Sequence, residues 1–408
     1  MKRILTISIL VTINFYLAAQ ESNFGIKFSG FVKNDAFLDS RQTVAAREGH
    51  FLLFPSAQKL DENGNDINEK ANFNMLAVQS RLKGALSGPD AFGARTSGVI
   101  EIDFFAQANE NINLVRMRHA FVKLNWTNFE LLAGQYWNPL FVTDCFPGTV
   151  SFNTGTPLQS FARNPQVRGV YKAGGLKLTA AALSQRDYSS RGAAGVSSSY
   201  LRNSAIPDVH FQLQFGNKAV IAGGGIAYKT IVPRLQSDTN FKVDESVAGL
   251  TAIGFAKITS SPVTVKFEAR YGENIADVLA ISGFAMKSIT NTSTGEADYT
   301  PLTSTTFWGE IHTNGKTFQV GLFGGYFKNM GTKEAVDPDM PVYGLGTSIS
   351  SLYRISPRLI YNSGKTRVAL EMEYTSADYG SGFDENYLPS STTTVSNMRA
   401  LLAVYYFF

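Results

Sequence analysis

Four histidines and a single cysteine are the residues best equipped for covalent or metal chemistry in this chain of 408 residues, and they are scattered. His50, His119, His210 and His312 make no close pair and have no thiol partner for a zinc site. A hydrolase needs a nucleophile held beside a base, and no serine forms an identifiable constellation with any of these histidines. Gly223-Gly224-Gly225 lacks the Lys-Ser/Thr of a phosphate loop. The run from Asp61 to Glu69 is rich in oxygen donors, but its glycine is misplaced for a calcium loop, so it reads as a solvated loop. The expectation is no catalytic residue, no metal and no cofactor.

What remains is the chemistry of fixed charge. Lys33, Arg116, Arg118, Arg168, Arg354, Arg358, Arg367 and Arg399 stand on the polar faces of otherwise apolar segments, and Arg163 lies close to Arg168. The acids Asp35, Glu101, Asp103, Glu268, Glu371 and Glu373 occupy similar places. Two arrangements are open. Opposing walls of unlike sign would set a transverse field across a lumen, or the charges would pair within the wall.

The segments that carry these residues alternate with period 2. Val263, Val265, Phe267, Ala269 and Tyr271 share one face, while Thr264, Lys266, Glu268 and Arg270 share the other. Val209, Phe211, Leu213 and Phe215 alternate with His210, Gln212 and Gln214 in the same way, and Val368, Leu370, Met372 and Tyr374 with Arg367, Glu371 and Glu373. Successive side chains of a strand point to opposite faces, so each segment has one apolar and one polar face. The pattern predicts about sixteen strands, centred on 24–38, 71–86, 95–107, 114–126, 128–137, 164–173, 175–186, 207–216, 219–230, 245–258, 262–272, 302–313, 316–328, 346–362, 365–379 and 396–408.

A soluble sandwich also alternates, so the connections decide. Every second joint is tight, as at Thr127-Asn128, Gly174-Gly175 and Asn314-Gly315, which suit hairpin turns. The joint around Ser87–Ala94 is the exception. The intervening joints are long, at 39–70, 138–163, 187–206, 231–244, 273–301, 329–345 and 380–395, and only 108–113 is short. Short turns at one rim and long loops at the other mark a transmembrane antiparallel β-barrel. The fold class expected is therefore all-β. A mean hydropathy of -0.06 agrees, because alternating faces cancel. The Arg116–Trp126 segment is awkward, since Ala120, Val122 and Leu124 share a face with its two arginines; a bulge or a subunit contact would explain it.

Lys2 and Arg3, the apolar run Ile4–Leu17 and Ala18-Ala19 have the layout of a cleaved secretory signal. The expected organisation is a signal peptide at 1–19 and one outer-membrane barrel domain at 20–408. The formal charge of +4 falls to +2 (+4 − 2) when Lys2 and Arg3 leave, since residues 1–19 hold no acid. With no dense basic block, nucleic acid is not an expected partner. Cys145 has no partner for an intramolecular disulfide. At the other end, Tyr405-Tyr406-Phe407-Phe408 is similar to the C-terminal strand that bacterial barrel-assembly machinery recognises, making Phe408 the expected contact.

Several short runs together resemble the DcaP-like porins of the Gram-negative outer membrane. They are Gly30–Ala36, Glu101–Phe105, Arg118–Phe121, Leu132–Trp137 and Arg163–Arg168, in the expected order over the first half of the chain. Strand one begins almost at the mature N-terminus, leaving no room for the helical extension of some members. The resemblance implies a homotrimer of sixteen-stranded barrels in outer-membrane lipid, passing small hydrophilic solutes, often anions such as dicarboxylates. Sixteen strands also leave an aqueous lumen on geometric grounds. Loop 138–163 is the candidate constriction, with an ordinary external loop as the alternative. The expected pore-lining residues are Lys33, Arg116, Arg118, Arg163, Arg168, Glu101 and Asp103. A surface receptor, adhesin or structural barrel is the competing reading, with a barrel-embedded hydrolase behind it.

Overall fold

The computed structural model describes residues 24–337 and 339–408; the expected signal peptide lies outside the described residues. The alternation becomes a closed antiparallel barrel of sixteen strands. In chain order they are β1 (Gly25–Asp39), β2 (Asn72–Leu76 and Arg81–Ser87), β3 (Arg95–Asp103), β4 (Arg116–Asn125), β5 (Phe129–Trp137), β6 (Arg163–Ala173), β7 (Leu176–Leu183) and β8 (Asp208–Gly216). The wall continues with β9 (Val220–Ile231), β10 (Val247–Thr259), β11 (Val263–Glu273), β12 (Glu296–Thr313), β13 (Phe318–Thr332), β14 (Ile349–Ser363), β15 (Thr366–Phe383) and β16 (Pro389–Phe407). Each strand pairs with its sequence neighbour. β16 returns to β1 in a register running from Phe31 opposite Phe407 to Asp39 opposite Arg399. The Phe408 backbone completes the seam through reciprocal 3.2 Å bonds with Gly30. Closure removes the edge strands that would otherwise template aggregation.

The wall is inverted relative to a soluble protein. On β8, Val209, Phe211 and Phe215 are exposed, while His210, Gln212 and Gln214 are buried. On β15, Val368, Leu370 and Met372 face out, while Glu371 and Glu373 are buried. β16 repeats the pattern, with Leu402, Val404 and Tyr406 outside and Arg399 1% exposed inside. Exposed rings sit close to the short turns, among them Phe129, Tyr171, Phe215, Phe318 and Tyr361. An apolar outer belt with aromatic residues at its margin matches a lipid bilayer as solvent.

The structure departs from the expected strands in several places, among them the hairpin Thr43–Ala46/Phe51–Pro55 within the expected loop 39–70. β2 is interrupted at Ala77–Ser80, where Val78 turns inside and its carbonyl accepts the Phe104 N–H at 3.0 Å. The stretch expected to be a loop at 273–301 contains a strand, Ser282–Asn291, which pairs with the first part of β12 and with Val342–Leu345. Met286 and the four residues before it in that strand are all buried, so no alternation marks it.

Among the described residues, several loop segments turn into the lumen. The hairpin Thr43–Ala46/Phe51–Pro55, residues 138–162 and residues 275–281 meet in one apolar cluster that includes Phe51, Phe105, Phe141, Phe152, Phe161 and Ile281. Trp137 stacks on Phe141 at 4.0 Å between centroids and Phe105 on Phe152 at 4.1 Å. Aromatic pairs of this kind add specific geometry to the burial of their surface.

Candidate functional site

A bulge places the arginines of β4. The pairing of β3 with β4 runs Glu101 opposite His119 and then Ile102 opposite Met117, so Arg118 is the extra residue. Arg116, Arg118 and His119 consequently all turn inward, while Met117 and Val122 face out. One inserted residue switches the face of everything beyond it. The awkward pattern of this segment is therefore a bulge.

Arg116 grips Asp103 with two bonds, Nε to Oδ1 at 3.0 Å and Nη2 to Oδ2 at 2.8 Å. Arg118 donates to Glu101 Oε1 at 2.7 Å and to Asp103 Oδ2 at 2.8 Å. Arg163, at the start of β6, donates through Nε and Nη2 to Asp187 Oδ2 at 2.9 and 2.6 Å. Asp187 also lies 3.6 Å from Arg116 Nη1, and Arg81 lies 3.6 Å from Glu101. Five of the seven expected residues thus form one network, to which Arg81 and Asp187 are added. Its charge is four guanidiniums less three carboxylates, 4 − 3 = +1. The charges pair within the wall rather than facing each other across open water. Burial by itself would raise the Asp187 carboxyl, but the Arg163 and Arg116 guanidiniums outweigh it and hold the group below the usual carboxylate range.

Lys33 and Arg168 lie apart from this network. Lys33 is fully buried on β1, with Nζ 2.9 Å from Asp35, 3.0 Å from the Val150 carbonyl and 4.8 Å from the Tyr405 ring centre. Asp35 in turn sits 2.7 Å from His50 Nε2. Burial lowers the His50 pKa, and contact with Asp35 offsets it only in part, so the ring is neutral at pH 7. Arg168, on β6, bonds Gln166 at 2.8 Å and the Trp137 carbonyl at 2.5 Å, and packs over Tyr136. It borders a separate chamber beneath the inward loop.

Loop 138–163 runs inside the barrel, suspended from charged groups on the inner wall. Glu310 of β12 accepts the Gly148 N–H at 2.7 Å, and Glu371 of β15 accepts the Val150 N–H. Glu373 accepts from Asn153 at 2.7 Å. On the opposite sign, Arg354 of β14 donates to the Thr156 carbonyl at 2.8 Å, and Arg270 of β11 to Ser160 Oγ at 2.5 Å. Arg354 and Arg399 also hold the hairpin, through the carbonyls of Leu53 and Gly49, each at 2.7 Å. Hydrogen bonds with one ionised partner are the stronger class, and here they fix loop backbone that would otherwise be unsatisfied. Among the described residues no cluster of histidine, cysteine and carboxylate side chains could hold a metal.

Comparison with known proteins returns solved barrels. The outer membrane channel DcaP of Acinetobacter baumannii superposes with a TM-score of 0.68 at 17% identity, covering 95% of this chain and 98% of that one. An anion-selective porin from Comamonas acidovorans gives 0.58 at 10%, covering 94% and 100%. OmpT of Vibrio cholerae, an outer membrane protein in its trimer form, gives 0.55 at 10%, covering 94% and 99%. No family model matches the chain, and no curated protein matches it. The fold is that of these porins, and the likeness to the DcaP fold extends over nearly the whole chain.

Proposed function

We propose that this chain is an outer-membrane porin, a non-enzymatic channel through which small hydrophilic solutes diffuse passively, with a preference for anions. The observation that carries the reading is a loop hung inside a closed, lipid-belted barrel, with unlike charges fixed along its inner wall. A lumen narrowed in this way sorts solutes by size and charge, because the effective dielectric falls from ~80 towards ~20 where water is scarce. Residues 138–163 act as the constriction. Arg116, Arg118, Arg163 and Arg168 supply its positive bias, Glu101 and Asp103 moderate it, and Lys33 anchors the loop from the far wall. The net positive network around Asp103 and Asp187 supports anion preference, and the likeness to an anion-selective porin points the same way. Dicarboxylates are the solutes this favours, since attraction grows with charge.

The working form is a homotrimer in outer-membrane lipid, a state supported by the trimer form of one structural neighbour. Residues 1–19 act as a cleaved signal, 20–408 form the mature barrel, and the short-turn rim faces the periplasm. Phe408 serves as the terminal residue that the barrel-assembly machinery reads. Liposome swelling tests the channel: vesicles containing the purified protein should swell in isotonic arabinose at a rate that falls for larger sugars. A receptor, adhesin or structural barrel would give vesicles as tight as protein-free ones.

A further inference from the structure

The chamber bordered by Arg168 has a volume of about 160 Å³, enough for roughly five waters and so for a small oxyanion with part of its hydration shell. It lies between the loop segment 139–144 and the short-turn half of β4 to β8. Its cations are Lys123, Arg168, Lys172 and Lys177, and its acids are Glu130 and Asp144, a balance of 4 − 2 = +2. Lys172 and Lys177 stand directly opposite each other across the Gly174-Gly175 turn. Like charges in that position destabilise a sheet. On the same inner face, Lys257 and Lys266 form a second opposed pair. The Lys172–Lys177 pair is the one that faces the chamber, and it is a cost that barrel closure does not require.

Lys266 of the second pair is met by Glu310 at 3.3 Å and by the Phe146 carbonyl at 2.9 Å, whereas Lys177 is met by Asp144. Asp144 belongs to the loop rather than to the wall, its Oδ2 accepts from Lys177 at 2.6 Å and from Gln214 at 3.2 Å, and its side chain is 41% exposed. Glu130 is already held by Lys123 at 3.0 Å and Lys172 at 3.4 Å. The Oε1 of Gln214 is buried without a partner.

The geometry points to a dianion subsite in this chamber, in which the Asp144 carboxylate is an internal stand-in that an entering ion displaces from Lys177. The inference rests on the channel reading for its purpose, but not for its chemistry. A small oxyanion carrying two charges takes the seat of Asp144 on Lys177 and is met by Lys172 across the strand pair and by Arg168 above. Binding one ion releases one internal carboxylate, so affinity stays moderate and the ion can leave. A single negative charge gains too little to compete with a tethered carboxylate, so monovalent anions pass without lodging.

The test is calorimetric titration of sulfate into the folded, detergent-solubilised barrel at constant ionic strength, with acetate as the monovalent comparison and Lys59→Gln, in an exposed outer loop, as the control. Asp144→Asn should bind sulfate about fivefold more tightly, because the competitor is gone. Lys177→Gln should bind it at least fivefold more weakly. Both variants break the same Lys177–Asp144 contact, so a purely structural tether would move both affinities in the same direction; that result, or no change in either, overturns the subsite. Migration on unboiled gels confirms that each variant is folded. Vesicle swelling is read separately. Swelling with unaltered sulfate affinities overturns the subsite alone, whereas ordered affinities without swelling overturn the channel reading alone.

Discussion

Asp187→Asn is the sharpest perturbation of the arginine network, because it changes one charge at nearly constant volume. Asp187 takes two bonds from Arg163, at 2.9 and 2.6 Å, and lies 3.6 Å from Arg116. The amide keeps one acceptor oxygen but leaves both guanidiniums with less compensation, and the network charge rises from +1 to +2. Breaking a buried pair costs about 3 kcal/mol when one bond survives, the low end of the usual range. That cost falls on the attachment of loop 184–207, while the hydrogen-bonded wall stays closed. The added positive charge acts on permeating ions as well. At about 8 Å and an effective dielectric near 20, the interaction is roughly 2 kcal/mol, and screening over one Debye length brings it below about 1 kcal/mol. Anion permeability should therefore rise, and cation permeability fall, by about threefold to fivefold each, so that their ratio rises about tenfold at moderate salt and the gain fades in molar salt. Zero-current potentials across a tenfold KCl gradient measure the ratio, and unboiled gel migration reports whether the barrel is intact. An intact barrel with an unchanged or reduced anion preference would refute the idea that this network biases the pore.

Arg168→Glu removes a positive charge that borders the open chamber and puts a negative one in its place, so the zero-current potential should move toward cation preference, by more than in the Lys59→Gln control. Deleting Phe408 should slow insertion while export and signal cleavage proceed, because its backbone closes the seam on Gly30; normal amounts of folded protein in the membrane fraction would contradict this. Acid should loosen the network through Asp187, whose pKa is depressed in the fold. The stability it contributes is fully present above its unfolded value of about 3.9 and is lost as pH falls below that through the folded value. Trp137 packs 5.1 Å from the Arg163 guanidinium, so tryptophan fluorescence should show a transition below about pH 4 that Asp187→Asn lacks.

The barrel was legible because lipid on one side and charge on the other impose strict alternation, which is why the bounds of β8 and β11 match their patterns closely. Segments covered on both faces carry no such signal. Phe51–Pro55 is buried at every residue, so the hairpin it belongs to reads as loop, and Ser282–Asn291 was hidden in the same way. The face of β4 was ambiguous because a bulge at Arg118 changes the period within the strand. Among the site residues, Arg116, Arg118, Glu101 and Asp103 could be brought together in thought because their strands are neighbours. Asp187 could not, since it reaches Arg163 from an irregular loop. The lysines of the lower chamber had a readable signal that composition obscured. Lys172 and Lys177 flank a two-glycine turn at a spacing that must set them opposite each other.

Single-channel recording of the purified protein in a planar bilayer tests the central claim most directly. A diffusion pore biased by a net positive arginine network should give discrete, ohmic conductance steps, and a zero-current potential across a KCl gradient whose sign shows chloride crossing faster than potassium. Folded protein that inserts without conductance steps, or steps whose potential shows potassium crossing faster, would contradict it.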